Sequence, residues 1–179
     1  VVIVENGSTD GTREWLASQQ DARLTVIEMA RNGGGALGFE VGMREAGIRF
    51  DPDWLVLMDD DARPRRVAIA RFRDGLVRNR WQGAEALAGA VYFPDGRICE
   101  MNRPYRNPFW NPGAFLRTLA QMPLGRGRKG FHLADAAYGA ESPVLPVDMS
   151  SFVGFFLSRA ALKAAGLPDP RLFIYGDDQ

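Results

Sequence analysis

The sequence has almost no cysteine, histidine or lysine, and each scarcity removes a class of chemistry. Cys99 is its one cysteine, which excludes an internal disulfide and a cysteine-based zinc site. His132 is its one histidine, which argues against a histidine-rich metal centre or a Ser-His-Asp triad. Apart from Lys129 and Lys163 the cations are arginines, a residue suited to planar phosphate recognition, although a GC-rich genome gives the same bias. Neither charge sign is in excess: 22 acidic residues face 22 basic ones, so no global field draws the chain to nucleic acid or an anionic membrane. No apolar run approaches the ~20 residues of a membrane span, and no signal peptide is visible. Its 179 residues fit one domain with a real core. The chain opens inside an apolar run, Val1 to Val4, and stops just after another, so it reads as a piece of a longer protein truncated at both ends.

What is present is an alternation of short apolar runs and helical patterns. Val1 to Val4 reads as a strand covered on both faces. The turn Glu5 to Thr12 leads to a helix over about Gly11 to Gln19, with Asp10 as the expected N-cap. Leu24 to Met29 is the next strand. A glycine-rich loop, Arg31 to Gly38, enters a helix whose Phe39, Met43, Ala46 and Phe50 recur at helical spacing. Trp54 to Met58 is a third strand, and Pro64 suits the first turn of a helix with Ile69, Phe72 and Leu76 as its buried stripe. This β-α-β-α-β-α order predicts a mostly parallel open sheet. Ala86 to Phe93 and Arg97 to Met101 read as strands around the turn Pro94-Asp95-Gly96. Asn102 to Ser142 has no clear period. Val144 to Val147 and Phe152 to Leu157 read as strands, and Ser158 as the cap of a short helix ended by Gly166.

The chemistry gathers at strand ends. Asp59-Asp60-Asp61 closes the third strand, and in an open α/β sheet ligands bind beyond the carboxyl ends of strands. Three adjacent carboxylates repel unless a cation or donor answers them. A divalent metal with oxygen ligands, holding a phosphate-bearing substrate, is one reading; a solvated acidic turn is the other. Gly33, Gly34 and Gly35 let backbone approach a ligand and leave N–H groups free for its oxygens, or simply form a helix start. Asn6, Ser8, Thr9 and Asp10 line the first turn or cap its helix. Asp177 and Asp178 read either as a pair that supplies a general base for a hydroxyl or as a solvated chain end. Arg63 and Arg65 stand near enough to the acidic edge to meet phosphate. Tyr105, Phe109 and Trp110 form a sugar-stacking lip or pack beneath a long loop.

These segments, in this order, resemble the inverting family-2 nucleotide-sugar glycosyltransferases of the A-type fold. Val1 to Thr12 is similar to that family's second strand and Asp-Asn-Gly-Ser-Thr-Asp-Gly-Thr turn. Asn32 to Phe39 resembles its Asn-x-Gly-x-x-x-Gly-Phe segment, Asp59 to Asp61 its Asp-x-Asp motif, and Ser151 to Asp178 its acceptor-side stretch. The Met-Asp-Asp-Asp-Ala wording and glycine triplet look most like the galactofuranosyltransferase branch, with rhamnosyltransferases close behind. The resemblance implies a Rossmann-like α/β domain over residues 1–179, with helices on both faces of the sheet. Its nucleotide-binding half would span about 1–95 and its acceptor-side half about 96–179. It implies metal-dependent, inverting transfer of a sugar, from a donor of UDP-galactofuranose or dTDP-rhamnose type, to a glycan or glycolipid hydroxyl. Asp61 and Asp59 would hold Mn²⁺ or Mg²⁺, with Asp59 and Asp60 also beside the nucleotide. Arg31, Asn32, Gly33, Gly34 and Asn6 would line the nucleotide pocket. Glu5 stands where the family usually has Asp near the base. Asp178 would be the catalytic base, with Asp177 beside it. The expected place is the cytoplasm, peripheral at the inner face of the membrane, with no nucleic-acid partner and the oligomeric state left open. Two other readings stand beside this one: a phosphatase or phosphotransferase using an aspartyl nucleophile at Asp59-x-Asp61, and an inactive fragment that binds a nucleotide sugar or nothing.

Overall fold

The structure is a computed structural model that describes residues 1–81, 83–125, 132–139 and 144–173. The fold is α/β. Its described residues fall into two compact units, Val1–Leu55 with 157–173, and those within Val56–Phe156.

In the first unit, β1 (Val2–Glu5) and β2 (Thr25–Glu28) pair in parallel, Val2 opposite Thr25 and Glu5 opposite Glu28. A parallel pair needs a crossover, and α1 (Thr12–Ser18) supplies it. Its N-cap is Gly11, at φ 91°, rather than Asp10. Asp10 acts one residue earlier, its Oδ1 accepting the Thr12 N–H at 3.1 Å and the Thr12 hydroxyl at 2.7 Å. Then comes α2 (Gly34–Phe50). Met43 and Ala46 of the expected stripe are buried, but Phe50 is exposed and Ala36, Glu40 and Val41 are buried instead. The helix lies close on β1, because a Cβ on Gly42 would stand 3.2 Å from Val4 Cγ2. The Ser158 hydroxyl accepts the Ala161 N–H at 3.0 Å and caps α5 (Arg159–Ala165), which Gly166 ends, both as expected. Arg159 then donates to the Pro52 carbonyl and to Asp53 Oδ1, fixing the start of α5 to the turn before the third strand.

A second sheet has the order β3-β5-β4, from β3 (Trp54–Leu57), β4 (Ala86–Ala88) and β5 (Phe155–Ser158). The Gly154 N–H donates to the Leu57 carbonyl and the Arg159 N–H to the Asp53 carbonyl, so the chain runs in opposite senses through β3 and β5.

In the second unit α3 (Ala68–Val77) starts four residues later than Pro64 suggested. Of its expected stripe only Phe72 is buried, its ring stacked on Phe156 at 4.2 Å, while Ile69 and Leu76 stay exposed. Gly75 is buried with it, because Trp81 lies against the helix and donates its indole N–H to the Phe72 carbonyl at 3.0 Å. The stretch without a period holds α4 (Pro112–Gln121) and 3-10 turns at Met122–Leu124 and Asp135–Tyr138. Of the strands expected later, Arg97 to Met101 contributes a single antiparallel bridge, Ile98 to Tyr92, before the 3-10 turn Glu100–Asn102. Val144 to Val147 is irregular; Pro146 removes the donor a strand would need. Arg103 is the buried cation here, held by Glu100 and Asp135, each at 2.8 Å, and lying over the Tyr138 ring.

Candidate functional site

The turn after β1 and the loop after β2 are tied together by one side chain. Asn6 Oδ1 accepts the Gly33 N–H and Asn6 Nδ2 donates to the Gly34 carbonyl, both at 3.0 Å. Asn32 Oδ1 accepts the Gly34 N–H at 2.8 Å. The Gly35 N–H donates to the Phe173 carbonyl at 2.9 Å. The three N–H groups expected to be free for a ligand's oxygens are therefore all bound to the protein itself. Gly34 is needed for this arrangement: it sits at φ +81°, and a Cβ there would fall 2.0 Å from the Phe173 oxygen. Gly7, at φ +72°, is needed as well, because a Cβ would meet the backbone of Arg31 and Asn32 at 2.6 Å. Arg31 and Asn32 thus lie directly against the β1 turn, with Arg31 exposed at its rim.

Glu5 sits beneath this junction with its side chain fully buried. Its Oε1 accepts the Ser8 N–H, and its Oε2 takes both Nε and a terminal nitrogen of Arg13, at 2.9 and 2.8 Å. The same Arg13 nitrogen reaches the Met29 carbonyl at 2.9 Å, so one guanidinium joins the ends of β1 and β2. The Ser8 N–H, together with Arg13, holds the Glu5 carboxyl below the usual carboxylate range. Arg13 was not singled out by the sequence. The pattern that would have found it is a cation on the first turn of α1 facing the one acid at the end of β1.

The triple aspartate lies in the second unit, in the turn that follows β3 and Met58. The Asp59 carbonyl accepts the Ala62 N–H at 3.2 Å, which bends the chain there. All three residues are exposed. Most other carboxylates in the described chain face an arginine, as in Asp74 with Arg78 or Asp95 with Arg97. Among the described residues Asp60 and Asp61 have no such partner. No three His, Cys, Asp or Glu side chains gather as a metal cage among the described residues. Adjacent exposed carboxylates are oxygen donors of the type of which Mg²⁺ or Mn²⁺ takes one or two, beside phosphate oxygens and water. The Arg65 guanidinium stacks over the Tyr92 ring at 4.8 Å. Phe109 and Trp110 are not packed beneath a loop, being 85% and 70% exposed. Asp177 and Asp178 lie outside the described residues.

The model of glycosyl transferase family 2 matches residues 1–118. Among curated proteins, a galactofuranosyltransferase GlfT1 from Mycolicibacterium smegmatis is 29% identical over 99% of this chain and 52% of its own length. GlfT1 from Mycobacterium tuberculosis is 30% identical over 99% of this chain and 51% of its own length. The chain thus spans about half the length of these relatives. No solved structure matches it.

Proposed function

The chain belongs to glycosyl transferase family 2, and from that premise we propose that it transfers a sugar from a nucleotide diphosphate donor to a hydroxyl of a glycan or lipid-linked acceptor. The observation that carries this reading is the adjacent exposed pair Asp60-Asp61 in the turn after β3, without an arginine partner among the described residues, where most of the other described acids face one. Such a site is short of positive charge, and a diphosphate bound with a divalent ion supplies the match. The names of the GlfT1 relatives favour UDP-galactofuranose over dTDP-rhamnose as the donor.

In this reading Asp61 and Asp59 hold Mn²⁺ or Mg²⁺, which when bound offsets negative charge growing on the departing nucleoside diphosphate. Asp60 stands beside the nucleotide. Residues 1–95 form the nucleotide half, in which Asn6, Asn32 and the Gly33-Gly34 backbone fix the pocket wall while Arg31 at the rim meets the donor. Glu5 serves from beneath by fixing Arg13 and the turn. Residues 96–179 form the acceptor side. Asp178 accepts the proton of the acceptor hydroxyl as that oxygen attacks the anomeric carbon, and Asp177 stands beside it. The attacking oxygen enters opposite the leaving group, so one displacement inverts the centre, and holding the reactants in line supplies much of the rate. The work is placed at the inner membrane surface, where a lipid-linked acceptor is presented. No helix among the described residues is long and apolar enough to cross a membrane.

The test combines binding and turnover in the full-length protein. Calorimetry should show UDP binding that requires Mn²⁺, and UDP-galactofuranose should be consumed with product of inverted configuration. Asp178→Asn should bind donor as the wild type does and lose transfer. Wild-type turnover in that variant removes Asp178 as the base, and phosphate release from simple phosphomonoesters without sugar transfer removes the whole reading.

A further inference from the structure

Arg13 stands on the first turn of α1, outside both donor loops, and binds the root of each. Its Nε and a terminal nitrogen reach Glu5 Oε2 at the end of β1, at 2.9 and 2.8 Å. The same terminal nitrogen donates to the Met29 carbonyl, just past β2, at 2.9 Å. The backbone adds one tie at this level, the Met29 N–H on the Glu5 carbonyl at 2.8 Å. A second level of ties lies beyond it, from Asn6 to Gly33 and Gly34. In sequence, Arg31 and Asn32 are strung between the two levels.

Glu5 shows what the clamp excludes. Its side chain is 0% exposed, and its two oxygens already hold three donors: the Ser8 N–H and two nitrogens of Arg13. A nucleobase edge finds no free acceptor there. The carboxylate therefore acts on the pocket through what it holds. Arg13 is 39% exposed, so water screens part of its charge. Its planar fork is the distinctive contribution, because it reaches a carboxylate and a carbonyl at once.

We propose that Arg13 is a positioning residue of the donor site. By clamping Glu5 to the Met29 carbonyl it sets the spacing of the two loops that carry Asn6, Arg31 and Asn32, and the Glu5 carboxylate has no part in reading the base. This rests on the donor reading given above and names the contact that shapes its site.

Calorimetry with UDP or CDP in the presence of Mn²⁺, urea unfolding and steady-state transfer test it in the full-length protein. Arg13→Met leaves a buried carboxylate without its cation and loses stability for that reason alone. The deciding variant is therefore Arg13→Met with Glu5→Gln, which has no orphan charge and keeps an acceptor for the Ser8 N–H. Its stability should return most of the way to wild type while UDP affinity stays roughly tenfold down, the scale on which outer supports act. Donor KM should rise with kcat nearly unchanged, as when uniform binding is lost. Arg13→Lys keeps the charge without the fork, and its UDP affinity should fall between wild type and the double variant. The bases of UDP and CDP present opposite hydrogen-bonding groups at N3. The preference between them should match wild type in all these variants and in Glu5→Gln alone. Affinity that recovers together with stability in the double variant overturns the proposal, since Arg13 then only supports the fold. A UDP preference that collapses in Glu5→Gln overturns it as well, since the carboxylate then reads the base. A wild type that binds no nucleotide overturns the donor reading itself and this proposal with it, a result distinct from any failure of the variants.

Discussion

Two loops at strand ends handle their polar groups in opposite ways. The loop before α2 spends its donors on the chain itself: Gly33, Gly34 and Gly35 give their N–H groups to Asn6, Asn32 and Phe173. The loop after β3 leaves Asp60 and Asp61 without an ion-pair partner among the described residues. The first is a finished wall, shaped before any ligand arrives. The second leaves adjacent exposed carboxylates that repel one another, a repulsion a counterion would relieve. Glycine content therefore says little by itself about ligand binding; what matters is whether the freed backbone groups remain free.

Four substitutions break or sharpen this contrast. Gly34→Ala should have the largest effect, because it combines a left-handed φ with a clash against the Phe173 oxygen. We expect a loss of about 3 kcal/mol or more in urea unfolding. Gly11→Ala, at a similar φ but facing open space, should cost only roughly 1 kcal/mol. Asp61→Ala should do the reverse of Gly34→Ala: unchanged stability, but a roughly hundredfold loss of Mn²⁺-dependent UDP affinity by calorimetry. Undiminished affinity would remove the metal assignment. Asn6→Ala should fall between, at roughly 1–3 kcal/mol, because it strands the Gly33 donor and the Gly34 acceptor. If stability held and only donor affinity fell, Asn6 would belong to the pocket rather than the wall.

The smallest effect is a pH dependence. The Glu5 carboxyl is held low in the folded protein by the Ser8 N–H and Arg13, so the unfolded chain takes up its proton at higher pH. Its contribution is complete above the ordinary glutamate value of about 4.3 and is lost as pH falls toward the folded value. Glu5→Gln has no such proton to bind, and its stability should decline less steeply through that acid range in thermal melts.

Much of the first unit could be read in advance, because its signals are local. Val1 to Val4 and Leu24 to Met29 are short apolar runs, and Ser158 precedes a helical pattern with Gly166 at its end. The role of Asn6 was not legible, since it depends on a contact 27 positions away; taken singly it looked like a cap. The second unit was harder. Pro108, Asn111 and Pro112 look like loop residues, and α4 hides behind them with Pro112 at its N-terminal turn. Its apolar side faces outward, so reasoning from core formation had no purchase on it. Val144 to Val147 misled in the other direction: hydrophobic content suggested a strand that Pro146 does not support.

The bond from Gly35 to Phe173 has a dynamic consequence. In sequence, Phe173 stands just ahead of Asp177-Asp178, while Gly35 lies in the first turn of α2, behind the proposed donor pocket. Deuterium can replace the Gly35 amide proton only while that link is open. A single backbone resonance is thus a clock for how often the chain leading to the proposed base lets go, and whether donor slows it.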